Sequence, residues 1–198
     1  MLRPCPKLAM GLLKTKERLY TMRPKTFINA GLGLMLACLA AGVGAESGPA
    51  KALITWDGEG RIYAVGTASM LFLGAFEGII YVETADQSID EGFVRCPATM
   101  RIDVAGKTSS GSGHCLIAVD EGDTVFAEWT CDGKPGACEG RFTLTEGTGR
   151  FKGITGSSPM RVRSPLSVLA ADMSSGSIVR AASGIAILSD LKYNTPAK

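Results

Sequence analysis

The chain has 198 residues, of which 45% are hydrophobic and 20% charged, and its formal net charge is +2. This composition is typical of a globular protein with one core, and it excludes a disordered or low-complexity chain. The 25 glycines and six cysteines are the features that bear most on the fold.

Residues 1–45 are predicted to be an N-terminal extension and a signal peptide. An uncharged apolar stretch over 27–45 follows Arg23 and Lys25, and it ends in small residues suited to cleavage after Ala45. The sequence therefore predicts an exported protein, periplasmic or secreted, that keeps no membrane span after cleavage.

The exact form of this leader has alternatives. Met22 is interpreted as the true start, since residues 1–21 would make an unusually long basic leader. A lipoprotein attached through Cys38 is a minority alternative. A membrane anchor is another, although the apolar stretch is at the short limit of the roughly 20 residues that a span needs.

Cleavage changes the charge of the protein. The leader carries seven of the 21 Lys and Arg but one of the 19 Asp and Glu, which leaves 14 basic against 18 acidic residues. Residues 46–198 are thus an acidic single domain. Since a nucleic-acid-binding protein calls for a clustered basic face, no nucleic-acid partner is expected.

Short apolar runs separated by Gly, Asp, Ser and Pro predict a series of strands from residue 50 onwards, and no long run has helical spacing. Eight to nine strands in this length are typical of a closed barrel or a sandwich. The predicted strands are 51–56, 61–67, 70–83 with a kink at Gly78, 93–104, 107–119, 124–131, 139–145, 159–169 and 176–190.

The strand over 70–83 carries two candidate ligand-binding residues, Glu77 and Tyr81. Side chains four positions apart lie on one face of a strand, unless the kink at Gly78 breaks the alternation. Glu77 is predicted either as an interior carboxylate or as a structural residue in barrel closure.

Four cysteines follow the leader, and an even number in an exported chain indicates disulfides. If Ala105-Gly106 is a two-residue turn, Cys96 falls directly opposite Cys115, close enough to bridge. A Cys131–Cys138 bridge would then close the base of the loop between those residues. A zinc site is disfavoured, because the chain has no C-x-x-C pair and a single histidine.

A second tight turn at Glu121-Gly122 fixes the register of the next hairpin. It places Val119 opposite Thr124, and both faces of the resulting sheet are largely apolar. A sheet with one solvated face would alternate cleanly. One face is therefore predicted to fill the interior and the other to pack under a neighbouring segment or subunit, which makes a homo-oligomer a prediction.

Extending this register through the second cysteine pair sets Glu128 opposite Arg141. These facing charges are predicted either as an exposed rung, which is favoured, or as a buried pair that anchors the polar head of an apolar ligand. His114 is interpreted as a half-exposed strand residue near Trp129 rather than a catalytic base. No catalytic residue, metal site or cofactor is predicted.

The segment Glu146-Gly147-Thr148-Gly149-Arg150-Phe151-Lys152-Gly153-Ile154-Thr155-Gly156 resembles the glycine-rich signature of the allene oxide cyclase and dirigent barrels. The preceding strand Cys138-Glu139-Gly140-Arg141-Phe142-Thr143-Leu144-Thr145 and the upstream Phe76-Glu77-Gly78 resemble uncharacterised bacterial exported proteins of that barrel superfamily. Segment 146–156 lacks the Gly-Lys-Ser/Thr ending of a phosphate loop. The resemblance implies an eight-stranded antiparallel, calycin-like barrel in which Phe151 plugs one end, and it implies a trimer. The plant enzymes of that group cyclise an unsaturated fatty-acid epoxide.

Three functions follow as hypotheses. The favoured one is a non-catalytic exported module that binds a small apolar ligand. The second is an isomerase or cyclase acting on a lipid-like or phenolic substrate inside the barrel, and the third is a structural envelope protein with no ligand. Fold resemblance alone supports the enzyme, and that is a weak warrant.

Overall fold

A computed structural model describes residues 46–165 and 178–196 of the chain. The signal peptide, the start at Met22 and the lipidation site at Cys38 lie outside the described residues. So do the end of the predicted strand 159–169 and the start of 176–190. In the part of the chain that the structure describes, no helix has the length and apolarity to span a membrane.

The described residues form a closed barrel of eight antiparallel strands. Each strand pairs with its neighbours in the chain, and the first strand closes the barrel by pairing with the last. This confirms the predicted all-β, eight-stranded antiparallel barrel. The strands are β1 (Glu46–Ala64), β2 (Ser69–Glu83), β3 (Ile89–Asp103), β4 (Thr108–Asp120), β5 (Asp123–Lys134), β6 (Ala137–Gly147), β7 (Thr155–Arg163) and β8 (Ile178–Thr195).

The first two predicted strands are one strand in the structure. The sequence Asp57-Gly58-Glu59-Gly60 indicates a turn, yet β1 runs straight through it. Gly58 and Gly60 lie on the inner face, where a Cβ atom would stand 3.0 Å from the ring of Phe76 and 2.6 Å from that of Phe72. These glycines serve to admit aromatic rings into the barrel.

Side chains alternate between the barrel interior and the outer wall, and the interior has two unlike halves. The closed half lies at the end that carries the turns β2–β3 and β4–β5, and the open half at the end that carries β1–β2 and β5–β6. In the closed half the interior is packed with buried aliphatic side chains: Ile80, Ile117, Val125, Leu144, Ile154, Leu188 and Leu191.

The glycine-rich segment 146–156 seals the closed half. Thr148 donates a hydrogen bond from its hydroxyl to the Gly122 carbonyl (2.8 Å) and accepts one from the Thr124 N–H (3.1 Å). Arg150 pairs with Asp123 (3.2 Å), and its guanidinium lies over the Phe151 ring, 4.9 Å from the centroid. Phe151 packs against the buried core. This segment therefore fastens to the β4–β5 turn.

Both predicted disulfides are present. Cys96 and Cys115 are bridged across β3 and β4 with their Cα atoms 4.1 Å apart, and Cys131 and Cys138 are bridged across β5 and β6 with theirs 5.6 Å apart. All four residues are buried. Two disulfides are typical of proteins from oxidising compartments.

The predicted register of β4 against β5 is wrong by one residue. The Glu121-Gly122 turn pairs Asp120 with Asp123, but an irregularity between Ala118 and Asp120 shifts every later pair, so Ile117 faces Val125. A bulge inserts one residue into one strand, which exchanges the two faces beyond it. The interior therefore contains apolar residues from both of the faces that the predicted register placed on opposite sides of the sheet.

The predicted register of β5 against β6 is wrong by two residues. The hairpin does not stop at the cysteines but continues to Lys134 and Ala137, which flank a tight Pro135-Gly136 turn. Gly136 has φ +79°, as position i+2 of a type II turn requires. Gly133, and not Cys131, therefore lies opposite Cys138, so the bridge is diagonal.

Candidate ligand-binding cavity

The open half of the barrel contains a cavity of about 320 Å³. The closed half forms its floor, and the β5–β6 turn and the end of β7 form its rim. The lining is almost wholly apolar and rich in aromatic and sulfur-containing side chains. The main lining residues are Ile54, Trp56, Ile62, Phe72, Phe76, Val94, Cys96, Met100, Ile102, Ser109, Cys115, Trp129, Phe142, Met160, Ala182 and Ala186.

Phe76 on β2 is the centre of an aromatic cluster in the cavity wall. Its ring centroid lies 4.9 Å from that of Trp56 in an edge-to-face arrangement, and 5.5 Å from that of Phe72. The ring centroid of Trp129 on β5 lies 6.1 Å from that of Phe76. Such offset and edge-to-face contacts hold aromatic rings in fixed orientations, so the wall is built of positioned ring faces and edges.

Interior glycines directly opposite these rings on the neighbouring strands make room for them. A Cβ atom at Gly113 would stand 2.7 Å from Nε1 of Trp129, and one at Gly184 would stand 2.5 Å from the six-membered ring of Trp56. Contacts that short do not occur between real side chains, so a larger residue at either position would displace an indole ring. The glycines thus determine the shape of the cavity.

Polar groups in the lining are few. Ser109 lies in the wall and is 5% exposed, and its hydroxyl has no hydrogen-bond partner among the described residues. At the rim, the Ser164 hydroxyl donates to the Ser183 carbonyl. Lys134, also at the rim, carries the one charged side chain among the described lining residues.

The four ligand-binding candidates predicted from the sequence lie on the outer wall and do not line this cavity. Glu77 and Tyr81 share one face, as expected, because β2 keeps its register through Gly78. That face is the outer one. Glu77 forms a salt bridge with Arg95 (2.7 Å), and the Tyr81 side chain is exposed.

Glu128 and Arg141 are also exposed, and they do not face each other. With β5 and β6 displaced by two residues from the predicted register, Glu128 lies opposite Thr143 and Arg141 opposite Thr130. Arg141 instead donates to the Ser157 hydroxyl (3.3 Å). The Glu128–Arg141 pair is therefore a wrong prediction, and its cause is the unrecognised Pro-Gly turn.

His114 lies exposed on the outer wall, opposite Glu128. The expected neighbour, Trp129, is one position further along and points inward, because the bulge in β4 exchanges the faces. Within residues 46–165 and 178–196, no group of three or more His, Cys, Asp or Glu side chains is placed to hold a metal ion.

No protein-family model matches the chain, and no curated protein or solved structure does so either. The site must therefore be interpreted from its own residues. Sequence reasoning missed the cavity-lining aromatics, although the pattern was available: Trp56, Gly58, Gly60 and Ile62 alternate on β1, and Phe72, Gly74 and Phe76 alternate on β2. Aromatic and glycine residues at period two on neighbouring strands indicate rings that share one interior face.

Proposed function

We propose that this protein binds a small apolar molecule inside the barrel without transforming it. The observation that carries the proposal is the cavity of about 320 Å³, walled by aromatic rings and closed at one end by a packed aliphatic core. Ligand sites are typically concave and apolar, with few polar groups.

The size of the cavity limits the ligand. Benzene fills an apolar cavity of roughly 150 Å³, so a cavity twice that volume fits a molecule of about a dozen non-hydrogen atoms. A fused pair of aromatic rings has this size, and its flat faces match the positioned rings around Phe76. Naphthalene is therefore a suitable probe.

A fluorescence titration with naphthalene tests this proposal. We expect one molecule bound per chain, with a Kd on the order of 10–100 µM, which corresponds to the affinity usual for a ligand of this size. Ala182→Leu should weaken binding about tenfold, because the added carbons occupy the cavity where Ala182 lines it.

Ala75→Leu is the matched control, because Ala75 lies on the outer face of β2. It should leave the Kd unchanged. Equal affinity in the wild type and the Ala182→Leu variant, or no saturable binding in the wild type, would contradict a ligand site in the barrel.

An isomerase or cyclase acting on a lipid-like or phenolic substrate is the second hypothesis. It depends on the resemblance of segment 146–156 to the allene oxide cyclase and dirigent barrels, which is itself a proposal. That segment closes the end of the barrel away from the cavity, so its residues do not contact a ligand there. The cavity wall supports binding more directly than it supports catalysis.

We also propose that the protein is exported to the periplasm or the medium by cleavage after Ala45. The two disulfides support an oxidising destination. Mass spectrometry of the mature protein from its native envelope would give the mass of a chain that begins at Glu46 with both disulfides formed. A mass that includes Cys38 and a lipid would support the lipoprotein alternative.

The homo-oligomer stays a prediction. An exposed apolar patch on the outer wall is the surface on which we expect copies of the chain to associate. Neighbouring strands β1 to β4 present Leu53, Tyr81, Phe93 and Leu116 outward, each about two-fifths exposed. Exposed apolar patches of this kind are typical of interfaces. Phe93→Asp should lower the molar mass measured by light scattering if copies associate here, whereas Lys107→Asp in the β3–β4 turn should not.

A further inference from the structure

Two polar side chains are buried in the described part of the barrel, and they differ in one respect. Ser158 on β7 is fully buried, donates to the Pro159 carbonyl (2.8 Å) and accepts from the Asp190 N–H (3.4 Å). Ser109 on β4 lines the cavity, and its hydroxyl has no hydrogen-bond partner there. Hydrogen bonds within the fold therefore satisfy the buried Ser158 hydroxyl, whereas the described fold supplies none to the Ser109 hydroxyl.

The strand register explains why the barrel supplies nothing to Ser109. The residue opposite Ser109 on β3 is Ile102, which is apolar. The residue opposite Ser109 on β5 is Gly133, which has no side chain. The remaining direction is the cavity. Buried polar groups are nearly always hydrogen-bonded, so a buried hydroxyl without a partner indicates one that is absent from the isolated chain.

We propose that the Ser109 hydroxyl is the polar contact of the bound molecule, which is a neutral phenol, alcohol or ketone on a ring-sized apolar body. This inference rests on the proposed ligand-binding function. A serine hydroxyl both donates and accepts, so it can bind a ligand O–H or C=O. Its single side-chain torsion has three staggered positions, which lets the oxygen turn towards the ligand.

The surroundings of Ser109 favour a neutral group over a charged one. A carboxylate bound to the Ser109 hydroxyl would lie within an almost wholly apolar lining, and the single cation among the described lining residues is Lys134, which is exposed at the rim. A buried charge that lacks a partner is far more costly than a buried hydroxyl. A ligand with a carboxylate would instead place that group on Lys134, which follows Gly133, the residue opposite Ser109 on β5.

The experiment compares 2-naphthol with naphthalene in the wild type and in Ser109→Ala, by fluorescence titration of the full mature protein. The substitution should weaken 2-naphthol about tenfold, which corresponds to one hydrogen bond. It should change the naphthalene Kd by less than twofold. Ser110→Ala is the matched control, since Ser110 is exposed on the outer face of the same strand, and neither Kd should change.

The melting temperature of the ligand-free protein checks that the variant is folded. Ser109→Ala removes an unpaired buried hydroxyl, so we expect it to melt at the same temperature as the wild type or higher. A lower melting temperature would mean that the hydroxyl is already bonded within the protein, and this would overturn the assignment.

The possible failures are distinguishable. If naphthalene binds but Ser109→Ala leaves the 2-naphthol Kd unchanged, the Ser109 contact is wrong and the binding function stands. If 2-naphthoate binds most tightly and loses its affinity in Lys134→Met, the ligand is an anion held by the Lys134 ammonium, which also overturns the assignment. If naphthalene does not bind any variant, the proposed function itself fails.

Discussion

The two halves of this barrel have the same strands and the same inward alternation, yet only one contains a cavity. In the closed half, branched aliphatic side chains such as Leu144 and Leu188 meet and fill the interior. In the open half, bulky rings such as Trp129 and Phe76 lie over glycines on neighbouring strands. The aliphatic side chains interlock and fill the interior. The aromatic rings pack on the glycines beside them and line the cavity. Interior composition therefore decides where a barrel is filled and where it is hollow.

The largest expected effect is the loss of a side chain from the closed half. Leu188→Ala should lower the free energy of unfolding by about 4 kcal/mol, since Leu188 is completely buried and its removal leaves a new void. Met100→Ala in the open half should cost about 1–2 kcal/mol, because Met100 already borders the cavity and loses fewer contacts. Urea unfolding of both variants measures the difference, and equal losses would remove the contrast between the halves.

The Cys96–Cys115 disulfide borders both halves, on the cavity floor. Replacing both cysteines with alanine should lower the free energy of unfolding by about 3 kcal/mol, the value expected for a loop of roughly twenty residues. Chemical denaturation without reductant gives this number directly. A double variant as stable as the wild type would mean that this crosslink does not lower the conformational entropy of the unfolded chain enough to stabilise the fold.

A smaller effect is expected at the seal of the closed half. Thr148→Val removes the hydroxyl that bonds Gly122 and Thr124, and it should cost about 1 kcal/mol. Thr145→Val, on the outer face of β6, is the matched control. Hydrogen exchange of the Thr124 amide should accelerate in the first variant only. Unchanged exchange there would show that the backbone bonds suffice to fasten the segment.

The smallest effect concerns pH at the β2–β3 turn, also at the closed end. The Thr84 hydroxyl and the Ser88 N–H and hydroxyl donate to the Asp86 carboxylate and hold the pKa of Asp86 below its usual value. A lowered folded-state pKa contributes stability above the ordinary aspartate pKa, and this contribution is lost as pH falls through the lower value.

Thermal melts at pH 6 and pH 2.5 measure this contribution. Asp86→Ala should melt slightly below the wild type at pH 6, and the gap should narrow at pH 2.5. Asp86→Asn cannot ionise, so its gap from the wild type should likewise narrow in acid. A difference in melting temperature that widens in acid would contradict a lowered folded-state pKa of Asp86.

Turn chemistry explains how far the fold was predictable. The Ala105-Gly106 turn gave the register of β3 against β4, and with it the Cys96–Cys115 bridge. Lys134-Pro135-Gly136-Ala137 carries an equally clear type II signature, but pairing the cysteines directly opposite each other overrode it. The bulge near Val119 has no local signal, because bulges arise from the packing of a whole strand.

The candidate site was less predictable for a related reason. Charged residues such as Glu128 and Arg141 are obvious candidates in a sequence. A one-residue error in the strand register, however, reverses whether their side chains are predicted to point inward or outward. Ser109 has no motif around it. Its significance comes from what lies opposite, Ile102 and Gly133, and that is known only once three strands are correctly aligned.

The pairing of β1 with β8 has a consequence for the behaviour of the chain in concentrated solution. Each of the eight described strands is hydrogen-bonded on both sides, so these strands leave no free edge with which a strand of another chain could pair. Antiparallel closure also brings Glu46 and Thr195 side by side. The connectivity is thus nearly circular, and a short peptide joining these residues would preserve every strand neighbour while new ends were opened at another hairpin.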